Sequence, residues 1–223
     1  MSDTFNRRFA ALCGVSFALL LFVGVASINV PHSVSDQEMI DWWSKGGNQS
    51  ASILSMYALT ASAIALVVFL SHLRDRLNSA EANAGNAMFA LGLAASVMQL
   101  ASSAAHGVIG NAVKVNDEPL PGVDALRFIP QLSYTFMDLA LISAGACVVL
   151  ASVAIRRTAT LPAWLAWLGF VSGALLIVGT VVIGPLTIPI LLIWAVAASV
   201  ALLRSAPAEA TAPRRVSAVA SAS

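Results

Sequence analysis

Long apolar runs separated by short polar stretches set the pattern of this chain. Measured against the roughly 20 residues that a helix needs to cross the hydrocarbon core, they are Phe9–Ile28, Ala51–Leu73, Asn86–Val108, Pro130–Ile155 and Leu161–Leu203. The last is too long for one span. Gly184 and Pro185, with Pro189 close behind, divide it into about 161–183 and 186–203, because glycine suits a helix end and proline removes a backbone donor inside one. The pattern predicts an all-α integral membrane protein, a six-transmembrane-helix up-down bundle forming one domain over residues 1–204. Residues 205–223, rich in Ala, Ser and Pro with Arg214 and Arg215, are expected to be a disordered cytoplasmic tail able to touch anionic lipid.

Composition leads to the same class. Hydrophobic residues make up 58% of the chain and charged ones 10%, and the mean hydropathy is +0.83, values that the surface of a soluble domain does not tolerate. Arginines and lysines then orient the bundle, since those in short loops stay on the cytoplasmic side. With both termini inside, Arg7, Arg8, Arg74, Arg76, Arg156, Arg157, Arg204, Arg214 and Arg215 are cytoplasmic, while Lys45, Lys114 and Arg127 are outside, nine against three of the twelve basic residues. Trp164 and Trp167, at the inner start of the fifth span, fit an interfacial belt. A signal peptide cleaved after Val25-Ala26-Ser27 is the other reading of the first run, leaving five spans. Its apolar stretch exceeds the 7–15 residues of a signal core.

Two outer segments are long enough to have structure. In the first, Ser35 and Glu38 have the spacing of a capping box ahead of Met39, Ile40, Trp42 and Trp43, which predicts a short helix on the outer face. Its two indoles suit an interfacial anchor, the preferred reading, or a lid over an outward cavity. The second, roughly Gly110 to Ile129, carries Asp117, Glu118 and Asp124 and is expected to be a solvated acidic loop, since it follows no metal-loop pattern. Cys13 and Cys147 both lie inside apolar runs and read as packing residues. Asn48-Gln49-Ser50 matches a glycosylation sequon, which carries meaning only in a eukaryotic cell.

Polar residues inside the spans are not scattered evenly. Gln99, Ser103 and His106 follow one another at spacings of four and three in the third span, with Ser102 beside them; Tyr134 and Asp138 are four apart in the fourth. Asp138 is an ionisable side chain well inside an apolar run, where a charge costs at least a few kcal/mol. It lies nine residues past Ile129, roughly 13 Å at the helical rise, near the expected level of Gln99 and Ser102, with Tyr57 and Thr60 of the second span at comparable depth. Convergence of these faces predicts a polar pocket or proton relay in the outer half, built from Asp138, His106, Gln99, Tyr134, Tyr57 and Ser103. The plain alternative is that the same residues bond helices together. Gly169 and Gly173, spaced as GxxxG, and Ser143-Ala144-Gly145-Ala146 predict close helix packing in either case.

Enzyme signatures are lacking: there is no HExxH, GxSxG, Walker loop or dinucleotide fingerprint. His32 and His72 fall at opposite faces and His106 stands alone in its span, so no bis-histidine haem is indicated. Neither a metal nor a cofactor is expected, nor a nucleic-acid partner.

The outer segment Ser35-Asp36-Gln37-Glu38-Met39-Ile40-Asp41-Trp42-Trp43, the second span closing on Leu73-Arg74-Asp75-Arg76-Leu77, and the fifth opening Leu161-Pro162-Ala163-Trp164-Leu165-Ala166-Trp167-Leu168-Gly169 together resemble the bacterial membrane proteins grouped under domain of unknown function 4386 and their actinobacterial relatives. The resemblance spans nearly the whole chain. It implies a multi-pass protein of the bacterial plasma membrane and a six- or seven-helix bundle, and carries no activity with it. The functional expectation is a non-catalytic binding or accessory protein, holding a small-molecule or lipid ligand in the outward pocket or docking on a membrane-protein partner. A small proton-coupled transporter using Asp138 is the alternative, and a membrane enzyme acting on lipid or isoprenoid substrates ranks below both.

Overall fold

The computed structural model describes residues 3–31 and 33–204; the tail expected over 205–223, with Arg214 and Arg215, and His32 lie outside them. Every element among these residues is helical: α1 (Asp3–Ala26), α2 (Asp36–Ser44), α3 (Gly46–Ala80), α4 (Asn86–Lys114), α5 (Val123–Thr158), α6 (Ala163–Ile183) and α7 (Ile188–Arg204), with a 3-10 turn at Gly184–Thr187 between the last two. Five stretches are long and apolar enough to cross a membrane, the fifth running from Ala163 to Arg204. That fifth stretch is folded back on itself at the 3-10 turn: Thr180 and Thr187 hydroxyls bond at 3.0 Å, and Gly169, early in α6, lies beside the indole of Trp194 in the first half of α7. Gly184 makes the fold-back possible with φ +57°, a backbone conformation that side-chain-bearing residues rarely adopt.

The long helices form a closed ring in the order α1, α3, α4, α5, α6, α7, with α7 returning to α1. Membrane helices gain little hydrophobic energy from one another, so close approach and hydrogen bonds must hold such a ring. Both are present. At the α5–α6 contact a Cβ on Gly173 would stand 2.7 Å from the Gly145 carbonyl oxygen, so the two backbones touch. At the ring's closure Gly14 of α1 lies against Ser199 of α7 and Phe69 of α3. Between α3 and α1, Ser55 Oγ donates to the Gly24 carbonyl at 2.7 Å and Ser62 Oγ to that of Phe17 at 3.0 Å; their spacing of seven keeps both on one stripe.

Several helices extend further than the apolar pattern predicts. α3 continues through Arg74-Asp75-Arg76 because Leu77 is fully buried, Arg76 reaches the Thr160 carbonyl at 3.5 Å, and the Arg74 guanidinium stacks 4.6 Å from the Phe89 ring centre. The expected outer loop shrinks to 115–122. α4 runs on to Lys114, and α5 starts at Val123 with Asp124 in its first turn, where a carboxylate complements the helix dipole; Asp124 is therefore not part of one acidic loop. Pro130 sits inside α5 rather than at its start.

The interfacial anchor is corrected in α2. Ser35 and Glu38 do form the capping box, but Trp43 is 1% exposed, packed with Ile28, Val30, Met39, Ile109 and Leu126. Its indole therefore pins α2 to the bundle rather than to lipid, and α2 caps one end of the ring. Arg127 fixes the capping segment through the Val34 carbonyl and a 2.9 Å ion pair with Asp36. By contrast Trp164 and Trp167 are 52% and 59% exposed, as a membrane belt requires.

Two outcomes follow. Gly173→Val forces α5 and α6 apart and should lower stability in detergent by about 1–3 kcal/mol, whereas Gly47→Ala, at a site with no atom within 4 Å, should not destabilise; equal thermal shifts for the two would contradict the packing described. The Ser35 N–H, donating to Glu38, holds the Glu38 carboxyl below its ordinary value of 4.5. A depressed acid stabilises above that value and stops doing so as pH falls beneath it. Protection of the α2 amides, taken relative to the intrinsic exchange rate at each pH, should thus be constant above pH 4.5 and fall only below it; loss of protection that begins near neutrality contradicts the capping box as its cause.

Candidate functional site

The polar face of α4 is divided between two neighbours, because α4 stands between α3 and α5. Gln99 and Ser103, four apart, turn to α3: Gln99 Nε2 donates to the Leu59 carbonyl at 3.1 Å, and Ser103 Oγ pairs with Thr60 Oγ1 at 3.0 Å. Ser102 and His106, also four apart, turn to α5. Ser102 Oγ donates to the Ser133 carbonyl at 2.9 Å, and Ser133 Oγ lies in close contact with His106 Nδ1. Tyr57 is 62% exposed and faces away from the bundle. The six residues expected to converge therefore do not: Gln99 and Ser103 bond helices together, Tyr57 points outward, Asp138 lies beside Gly184, and only His106 and Tyr134 meet at a cavity.

There a cavity of about 340 Å³ opens between the end of α1, α4, α5 and the 3-10 turn. His106, Tyr134 and Asn29 supply its polar lining, and Val25, Met137 and Ile188 are among its apolar walls. The volume sits at the low end of small-molecule sites, roughly 300–1,000 Å³. His106 Nδ1 is 3.1 Å from the Ser102 carbonyl; a carbonyl only accepts, so Nδ1 carries the proton and Nε2 of the neutral ring is an acceptor. Tyr134 packs edge-on against the imidazole, ring centres 5.8 Å apart, and bonds to the Val30 backbone. Trp43 adjoins both rings in a small gap of about 10 Å³, so α2 closes this side of the cavity.

Asp138 lies one turn beyond Tyr134 and beside Gly184, where an added Cβ would stand 3.7 Å from its Oδ1. Oδ1 is buried without a hydrogen-bond partner among the described residues, as is Trp43 Nε1. Native proteins seldom leave such groups unsatisfied. Among the described residues no three His, Cys, Asp or Glu side chains gather to hold a metal.

Sequence reasoning misses Ser133 and Asn29, and it gives Trp43 an interfacial anchor's role, with a lid over an outward cavity as the alternative. Ser133 was legible as a small polar residue four before Met137, on the buried stripe of α5. Trp43 was not, since only tertiary packing separates a buried indole from an interfacial one. Ser102→Ala removes the bond to the Ser133 carbonyl and Ser133→Ala the bond to the Ser102 carbonyl; each should lower stability in detergent by about 0.6 kcal/mol, and no loss in either variant would show that these hydroxyls do not join the helices.

Comparisons with protein-family models, with curated proteins and with solved structures find no match for this chain.

Proposed function

We propose that this chain is a six-span plasma-membrane protein of the bacterial kind it resembles, with both ends cytoplasmic, and that it is a binding protein rather than an enzyme. Arg8, Arg74, Arg76, Arg156, Arg157 and Arg204 lie at one end of the ring and Lys45, Lys114 and Arg127 at the other, which supports placing the α2 end outside. The α6–α7 fold-back supports counting the fifth apolar stretch as two spans.

The observation that carries the reading is the cavity at the α2 end. Its lining of both polar and apolar side chains suits a small amphipathic molecule: a donor group on the ligand meets His106 Nε2, while its hydrocarbon part lies along Val25, Met137 and Ile188. Trp43 and α2 form a cover that a ligand passes or displaces. Native mass spectrometry of the protein released from its own membranes tests this. Wild type should retain a small molecule that is lost on Met137→Trp, which fills the cavity, and weakened about tenfold or more on His106→Phe, the loss of one well-placed polar contact. A wild type that carries nothing, or an adduct indifferent to both variants, contradicts it.

The unpartnered Oδ1 of Asp138 favours a second reading, a small proton-coupled carrier. Gly184 and the 3-10 turn adjoin this carboxyl, so a change in its protonation bears directly on the α6–α7 fold-back. With the retained molecule in hand, binding in weakly buffered medium should move a proton in wild type and none in Asp138→Asn, with binding itself preserved. If wild type moves no proton, Asp138 is a packing group.

A further inference from the structure

A second cavity, of about 320 Å³, lies at the opposite, arginine-rich end of the ring, on its outer surface between the α3–α4 turn and α5. Among its lining residues is an ion pair, Arg157 to Glu81 at 3.2 Å, with side chains 67% and 43% exposed. Its floor is apolar, formed by Ala87 at the start of α4 and by Leu150 and Val153 of α5. Asn83, on the turn, offers its amide N–H groups at the rim, its Oδ1 already accepting from Asn86 Nδ2 at 2.8 Å.

The geometry points to a site for a zwitterionic membrane lipid whose headgroup carries both a phosphate and a primary ammonium, phosphatidylethanolamine. An exposed ion pair contributes little stability and is cheap to open. Opened by such a headgroup, it exchanges one ion pair for two: the guanidinium fork of Arg157, helped by Asn83, takes the phosphate in the planar geometry that suits it, and Glu81 takes the ammonium. The glycerol and first methylenes then lie on Ala87, Leu150 and Val153, along the lipid-facing flank of α5. Charge complementarity selects this occupant over an anionic lipid. Arg156, Arg157, Arg74 and Arg76 attract any phosphate to this level, but Glu81 within the groove repels a headgroup that brings no positive charge. This inference requires only that the arginine-rich end meet a membrane surface, and is independent of the cavity at the α2 end.

The test offers the full chain in detergent an equimolar mixture of phosphatidylethanolamine and phosphatidylglycerol with matched acyl chains, and reads bound lipid by native mass spectrometry. Wild type should retain phosphatidylethanolamine several-fold over phosphatidylglycerol. Glu81→Gln should bring the ratio to about one while still binding phospholipid, and Arg157→Gln should lose both. Ala87→Trp, an exposed substitution that blocks the groove floor and leaves the ion pair in place, should also lose both and serves where the charge variants fold poorly. Equal retention by wild type, a preference for phosphatidylglycerol, an unchanged ratio in Glu81→Gln, or undiminished binding in Ala87→Trp overturns the assignment.

Discussion

Where α1 meets α7, Gly14 lies against Ser199 and Phe69, and a larger side chain there would hold the first and last helices apart. The ring, and with it the cavity at its α2 end, depends on that approach and on its counterpart at Gly145 and Gly173. Because lipid is as apolar as the helix surfaces, burial of leucine offers little reason for these helices to associate. Small residues let dispersion contacts and hydroxyl-to-carbonyl bonds do so instead. The bonds from Ser55 to Gly24 and from Ser62 to Phe17 also spare the serines an unpaired hydroxyl in hydrocarbon, which costs several kcal/mol by transfer.

The same economy explains why most polar residues in the spans are not a binding surface. Gln99, Ser102, Ser103 and Thr60 all find partners on a neighbouring helix, so their polarity is consumed in holding α4 between α3 and α5. Among the described residues, Trp43 Nε1, Asp138 Oδ1 and Trp194 Nε1 are buried without a hydrogen-bond partner. Trp194 lies against Gly169 between α6 and α7, whereas Trp43 adjoins His106 and Tyr134 and Asp138 adjoins Gly184 at the turn that borders the cavity. The candidate site therefore rests on the cavity and its His106–Tyr134 lining.

How much of this was legible in the sequence follows from which forces are local. Span positions, the Gly184-Pro185 break, the Ser35–Glu38 capping box and the Gly169/Gly173 approach depend on composition or on spacing along one helix, and each can be read from the chain alone. Helix ends were underestimated because Leu77 and Leu126 are buried by neighbours that the apolar pattern does not reveal. The sequence suggests one pocket because Gln99, Ser102, Ser103 and His106 cover an arc wide enough to face two partners; helix periodicity gives that arc but not who stands opposite. For the same reason it suggests an anchor at Trp43. Position along each helix is legible from the chain, whereas rotation about each helix axis is not.

Labelling of single cysteines by a membrane-impermeant thiol reagent, in protein lacking Cys13 and Cys147, tests the central claim most directly, since such reagents need water to reach and ionise the thiol. Val25 lines the cavity, while Val23, 42% exposed on the same helix, faces the surroundings of the ring. Val25→Cys should react from the α2 side of the membrane and Val23→Cys should stay inert. Inert Val25→Cys, or reaction only from the arginine-rich side, would show that the ring encloses no outward cavity.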